Sequence, residues 1–208
     1  GHRPGVLAEI EFGIQQVGEG QAVEGGDHHP GPPFGAEGED EEHGRLGYEP
    51  ALRRAIETLD FEAWYQPIVP LGGGAPVGLE ALLRWDCPGR GVLPPDDFLP
   101  LLDDLGGLPR LGGWMRATAA AQLMAWRAAG TGNGLAYIAV NLTAREIDDD
   151  RLVERVAATI AEHKLAPGAL RLEITETEIM RDPDRAAAVL GEVKAAGASL
   201  ALDDFGSG

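Results

Sequence analysis

Four oxygen-bearing side chains interrupt β-rich segments at intervals that suggest a shared task. Glu80 lies in GLEALLRW, Asn141 ends YIAVNL, Glu173 lies in LRLEIT, and Asp203 closes LALD with Asp204 beside it. The intervals are 61, 32 and 30 residues. The last two match one β-α-β repeat of about 30 residues, and the first spans two helices. Side chains alternate faces along a strand. Glu80 shares its face with Gly78, Asn141 with Ala139, Glu173 with Arg171, and Asp203 with Ala201 and Ser199. The opposite faces carry Leu79, Ile138, Val140, Leu172, Ile174, Leu200 and Leu202. These aliphatic faces are expected to pack on helices, while the oxygen-bearing faces point together at the carboxyl ends of the strands. Tyr137 is the exception, a large residue on the oxygen-bearing face.

Convergent carboxylates repel one another and lose hydration. Divalent cations remove both costs, and an all-oxygen donor set suits Mg²⁺ or Mn²⁺ rather than zinc. The Asp203-Asp204 pair would serve two adjacent ions, which favours phosphoester hydrolysis by a two-metal mechanism. Arg84 follows Glu80 by four residues, and a guanidinium near such a site pairs with phosphate in two-pronged fashion. Any one of these acids is equally well explained as solvated or ion-paired. Four at strand ends with the same parity are not.

The elements that must position them are legible. Pro50 opens a helix through about Leu59, since proline is tolerated in a first helical turn. FEAWYQPIVPL (61–71) and PVGLEALLRW (76–85) read as strands around a GGG turn. PDDFLPLLDDLG (95–106) reads as a short helix. Residues 109–129 read as a longer one, with Leu111, Trp114, Met115, Ala119, Leu123 and Trp126 along one face. Strands at 135–143, 169–175 and from 199 then alternate with helices at 148–165 and 182–197. That alternation predicts an α/β fold with a mainly parallel sheet.

Composition sets the bounds. The 208 residues carry 17 Lys+Arg against 34 Asp+Glu, a formal charge of −17, which argues against nucleic-acid polymers or anionic membranes as partners. The single cysteine, Cys87, excludes a disulfide framework and a cysteine-based zinc site. The two longest uncharged stretches, 63–79 and 128–144, are each broken by glycines and cannot span a bilayer as a helix, and no export signal opens the chain, so a cytoplasmic domain is expected. Residues 1–47 hold 12 of the 30 glycines and two basic against ten acidic residues. They lack apolar periodicity over 25–47 and are expected to form a disordered acidic linker, with the folded domain at 48–208. His28 and His29 beside Asp27 read as a solvated tract rather than a metal site.

With these residues in view, EALLR (80–84), NLT (141–143), LEITE (172–176) and DDFGSG (203–208), preceded by YQPIV (65–69), resemble the EAL-domain family of bacterial cyclic-di-GMP phosphodiesterases. The resemblance implies a modified (β/α)8 barrel whose first strand runs against the others. It implies hydrolysis of cyclic di-GMP to linear pGpG with Mg²⁺ or Mn²⁺. Carried over by motif, Glu80, Asn141, Glu173 and Asp203 hold metal, and Asp204 holds the second ion and helps position the water. Glu176 steadies the loop after DDFG, and Gln66 and Arg84 contact substrate. Family members commonly dimerise through the barrel and sit behind sensor or GGDEF-like domains.

The sequence ends at Gly208, before the family's later K-[IV/L]-D lysine and E-G-[VI]-E glutamate motifs. About five of eight barrel strands are countable, against about 250 residues for a whole barrel. The expectation is an incomplete barrel, inactive as supplied, from a gene product that is active when whole. Two alternatives remain: a degenerate EAL domain that binds cyclic di-GMP or a protein without hydrolysis, and an unrelated metal-dependent (β/α)8 hydrolase.

Overall fold

The computed structural model describes residues 48–203. Residues 1–47 and 204–208, including the expected linker, His28, His29 and Asp204, lie outside the described residues.

Helix α1 (Glu49–Thr58) opens with Pro50 in its first turn and ends at Leu59 in the left-handed conformation. The polypeptide then runs up β1 (Glu62–Ile68) and back down β2 (Gly78–Cys87), paired antiparallel. From there every main-sheet pairing is parallel. Strands β4 (Tyr137–Asn141), β5 (Leu170–Thr175) and β6 (Ser199–Asp203) join in the order β1-β2-β4-β5-β6. The result is the expected α/β fold, a partial sheet with its first strand reversed.

The crossovers are α3 (Leu108–Ala129), α5 (Leu152–Glu162) and α7 (Pro183–Ala195). Their apolar stripes meet the aliphatic side of the sheet, as the strand parity requires. Leu79, Ile138, Val140, Leu170, Leu172 and Ile174 form one core with Met115, Ala119, Leu123, Val156, Leu190 and Val193. A second core gathers Tyr48, Leu52, Phe61, Phe98, Leu102 and Leu111 around Trp85. Tyr48 and Phe98 meet the Trp85 ring edge-on at 5.5 and 5.7 Å between ring centres. Trp114 and Trp126 are core-packed, as their helical spacing predicts.

Four local readings need correction. The helix expected over 95–106 divides into a 3₁₀ turn (Pro95–Asp97) and α2 (Leu99–Asp104), because Phe98 leaves helical geometry at φ −133°. The helix expected from 148 begins at Leu152, behind a short α4 (Ala144–Ile147), and another short helix, α6 (Glu176–Ile179), follows β5. Both short helices start on Thr-x-x-Glu capping boxes. An additional strand, β3 (Gly91–Leu93), folds back on β2 through a turn in which Gly89 and Gly91 take φ of +81° and +78°. Finally, Leu202 does not pack on a helix but is 45 % exposed, because β6 has no further neighbour among the described residues.

One ionic contact anchors the sheet to its longest helix. Arg116 of α3 donates from Nη1 to Glu146 Oε1 at 2.5 Å, with both side chains almost wholly buried. Gly112 makes room for it, since a Cβ there would collide with the Glu146 carboxylate. Removing one partner of a buried pair strands the other charge away from water, a cost of about 3–5 kcal/mol. Glu146→Ala should therefore lower the unfolding free energy by about that amount, read from urea melts; an unchanged midpoint would show that the pair contributes no net stability.

Candidate metal centre

Strand register decides where the oxygen-bearing side chains meet. Glu80 is level with Gln66 on one side and with Ala139 on the other. Asn141, two residues beyond Ala139, is level with Glu173. Asp203 is level with Thr175, two residues beyond Glu173. Each step across the sheet shifts by zero or two residues, so all four side chains stay on one face. This progressive stagger is the shear that lets a sheet close into a barrel. Asn141, Glu173 and Asp203 lie at or near the carboxyl ends of their strands. Glu80, expected at such an end, is instead the third of ten residues of β2, which runs on past β4 to pair with β3.

The convergence is visible in contacts as well as in register. Asn141 Nδ2 donates to Glu80 Oε1 at 3.1 Å across a sequence separation of 61 residues. Glu173 is half-buried. Its pKa is pushed up from 4.5 to about 7, chiefly by burial and then by the charges of Glu80 and Asp203, with Arg171 partly opposing them. Three carboxylates therefore share one field. Among the described residues, no three His, Cys, Asp or Glu side chains by themselves form a metal-holding group. The predicted donor set differs from such a group in including the Asn141 amide and Asp204.

Gln66 and Arg84 share the face of Glu80. The pairing also aligns Trp64 with Leu82 and Glu62 with Arg84. Arg84 lies with its Cζ 5.3 Å from the centre of the Trp64 ring and donates from Nη1 to the Leu83 carbonyl at 2.8 Å. Trp64 in turn donates from Nε1 to the Glu62 carboxylate at 3.0 Å. Trp64, 37 % exposed, is a site-face residue that sequence reading missed. Its strand parity with Gln66 was the available signal. Glu176 begins α6 and is exposed; the loop it is expected to steady lies outside the described residues.

Tyr137, the parity exception, is accommodated at the other end of the face. Its ring covers Gly78, where a Cβ would collide with it, and the Arg171 guanidinium carbon sits 3.4 Å from the ring centre. It fills the interior below the oxygen cluster without entering it. Beside the cluster lies a largely apolar cavity of about 370 Å³, bordered by Leu82, Leu111, Met115, Asn141, Thr175 and Asp203.

Comparison with known proteins agrees with this arrangement. The EAL domain family matches residues 49–208. The chain is 38 % identical over 157 residues to the bifunctional diguanylate cyclase/cyclic di-GMP phosphodiesterase MucR of Pseudomonas aeruginosa, covering 76 % of this chain and 23 % of that protein. It is 34 % identical over 159 residues to the cyclic di-GMP phosphodiesterase PA2567 of the same organism, covering 76 % of this chain and 27 % of that protein. It thus spans about a quarter of each of these relatives. Among solved structures, the MucR phosphodiesterase in complex with c-di-GMP superposes with a TM-score of 0.72 at 37 % identity, over 78 % of this chain and 65 % of that one. The EAL enzyme Bd1971, with cAMP and cyclic di-GMP bound, gives 0.70 at 25 % identity, over 80 % and 46 %. A reversed first strand, parallel strands from β2 onward, and Glu80, Asn141, Glu173 and Asp203 on one face are thus found in a chain that belongs to the EAL domain family.

Proposed function

We propose that this domain, in the complete protein, is a metal-dependent cyclic-di-GMP phosphodiesterase. The observation that carries the reading is that Glu80, Asn141, Glu173 and Asp203 lie on one sheet face, each within two residues in register of the next. The donor chemistry fits a divalent cation: three carboxylates and an amide, all able to offer oxygen, with Glu173 held back from ionising chiefly by burial and then by the charges of Glu80 and Asp203. These four residues, with Asp204, would hold Mg²⁺ or Mn²⁺, in two sites. When bound, such ions supply charge neutralisation at the phosphate and a more acidic water.

The protein's own groups account for the rest. Arg84, against the Trp64 ring, lies on the sheet face where a phosphodiester would bind. Gln66, level with Glu80, offers an amide to the same substrate. Asp204 orients the attacking water and Glu176 steadies the loop that carries Asp204. In the reaction, the water oxygen bonds to phosphorus as one P–O ester bond breaks, and the leaving ribose oxygen takes up a proton, so that cyclic di-GMP becomes pGpG. A cytoplasmic location, a homodimer and an upstream sensor or GGDEF-like domain are the proposed context; no described helix is long and apolar enough to cross a membrane. The 208 residues by themselves, lacking the later lysine and glutamate motifs, are proposed to be inactive.

The full-length protein should convert cyclic di-GMP to pGpG in Mg²⁺ or Mn²⁺, and Glu80→Ala should lower turnover by at least about 100-fold. Full activity in that variant would overturn the assignment. Tight binding without pGpG formation by the wild type would favour a non-hydrolysing receptor instead.

Glu173 gives a second test. Below about pH 4.5 its carboxyl is protonated both folded and unfolded. Between about 4.5 and 7 the unfolded chain releases that proton while the folded domain retains it. Stability should therefore fall as pH rises through that window. In EDTA, wild type should lose stability relative to Glu173→Gln between pH 5 and 7.5, and Mn²⁺ should reverse the trend. Parallel melting curves for the two proteins in EDTA would contradict it.

A further inference from the structure

The two loops that follow Asn141 and Glu173 are built to one plan. In each, a threonine stands two residues after the oxygen-bearing residue and a glutamate three residues later: Asn141, Thr143, Glu146 and Glu173, Thr175, Glu178. In each, one glutamate oxygen serves the local capping box. Thr143 donates from its backbone N–H and its hydroxyl to Glu146 Oε2 at 3.2 and 3.1 Å. Thr175 does the same to Glu178 Oε2, at the same two distances. The other oxygen reaches out of the loop. Glu146 Oε1 takes the buried Arg116 guanidinium of α3. Glu178 Oε1 takes the backbone N–H of Ala144, the buried first residue of α4, at 3.3 Å.

The β5 loop is thus tied to the β4 loop, and the β4 loop to the longest helix. The Glu178–Ala144 tie is a direct loop-to-loop hydrogen bond immediately beyond the level pair Asn141 and Glu173. We infer that Glu178 is a positioning residue, whose two carboxylate oxygens fix the spacing of the β4 and β5 carboxyl ends and thereby the divalent-cation affinity of the site that Asn141 and Glu173 share. This rests on the metal-centre reading proposed above. Groups that orient ligands from behind typically change metal affinity 10–100-fold when removed.

The chemistry permits a selective test. Ala144 is the first residue of its helix and Thr143 before it is extended at φ −94°, ψ 156°. Proline is tolerated at such a position, and after such a residue, and it removes only the N–H that Glu178 accepts. Glu178→Gln retains an oxygen for the Ala144 N–H and an amide that the Thr175 hydroxyl can accept, while the Thr175 backbone N–H loses its acceptor. The tie between the loops is kept and only part of the capping box is lost. Mn²⁺ binding to the full-length protein is titrated by the electron paramagnetic resonance signal of the free ion. The sites scored are those lost in Glu80→Ala, and melting curves confirm folding.

Glu178→Ala and Ala144→Pro should each weaken Mn²⁺ binding about tenfold. The double variant should be no weaker than Glu178→Ala, because the bond that proline removes is already lost there, and Glu178→Gln should bind Mn²⁺ more tightly than Glu178→Ala. Wild-type affinity in Glu178→Ala and Ala144→Pro overturns the inference, as do losses that multiply in the double variant. If Ala144→Pro melts early, the contrast between Glu178→Ala and Glu178→Gln decides: equal affinities overturn the inference, and a tenfold gap supports it. A wild type that binds no Mn²⁺ at these sites overturns the metal-centre reading itself, and this inference with it.

Discussion

The structure depends on holding like charges beside one another on one face of parallel strands. Glu80, Glu173 and Asp203 reach one face because β2, β5 and β6 run the same way with a stagger of whole side-chain periods. Left to themselves, carboxylates so placed would separate or take up protons; the pKa of Glu173 is raised chiefly by burial, with the charges of Glu80 and Asp203 adding to it. A fold that keeps them together must draw its rigidity from elsewhere.

That rigidity comes from two sources of different kind. The aliphatic side of the sheet is pressed against α3, α5 and α7 by non-directional burial, which fixes the layers but leaves room for small sliding. Directional contacts then remove the sliding at the strand ends. The Arg116–Glu146 pair is buried with near-complete exclusion of water, so its geometry is strongly specified. The capping boxes of Thr143 and Thr175 start their helices within two residues of Asn141 and Glu173, leaving little slack between each strand and the turn that follows. Positioning contacts and chemical groups are therefore separated by only a few bonds.

The reversed first strand has its own role. Because β1 runs against β2, Glu62, Trp64 and Gln66 interleave with Arg84, Leu82 and Glu80 on the same face. An aromatic surface is thereby placed beside the Arg84 guanidinium, within cation–π range at 5.3 Å from the ring centre. The Trp85 cluster on the other face seals the same strand pair against α1 and α2. The antiparallel start thus brings the Gln66 amide and the Trp64 ring to the face that carries Glu80 and Arg84.

The sequence by itself determined the alternation of strands and helices, the aliphatic face of each strand and the common parity of Glu80, Asn141, Glu173 and Asp203. All of these follow from period-2 and period-3.6 patterning, which is local. Family resemblance added the direction of β1 and the expectation that Gln66 and Arg84 contact substrate. What only the tertiary structure decided depends on which residues become neighbours across long separations: the Asn141–Glu80 hydrogen bond, the buried partner of Arg116, and the placing of Arg84 against Trp64. Tyr137 shows why. By parity it was an oversized residue on a face meant to be small, and only the register that sets it against Gly78 and Arg171 explains its place. Thr175 and Glu178 spell out a capping box in the sequence. That the second oxygen of Glu178 also holds the neighbouring loop was settled by the parallel pairing of β4 and β5, which no local pattern encodes.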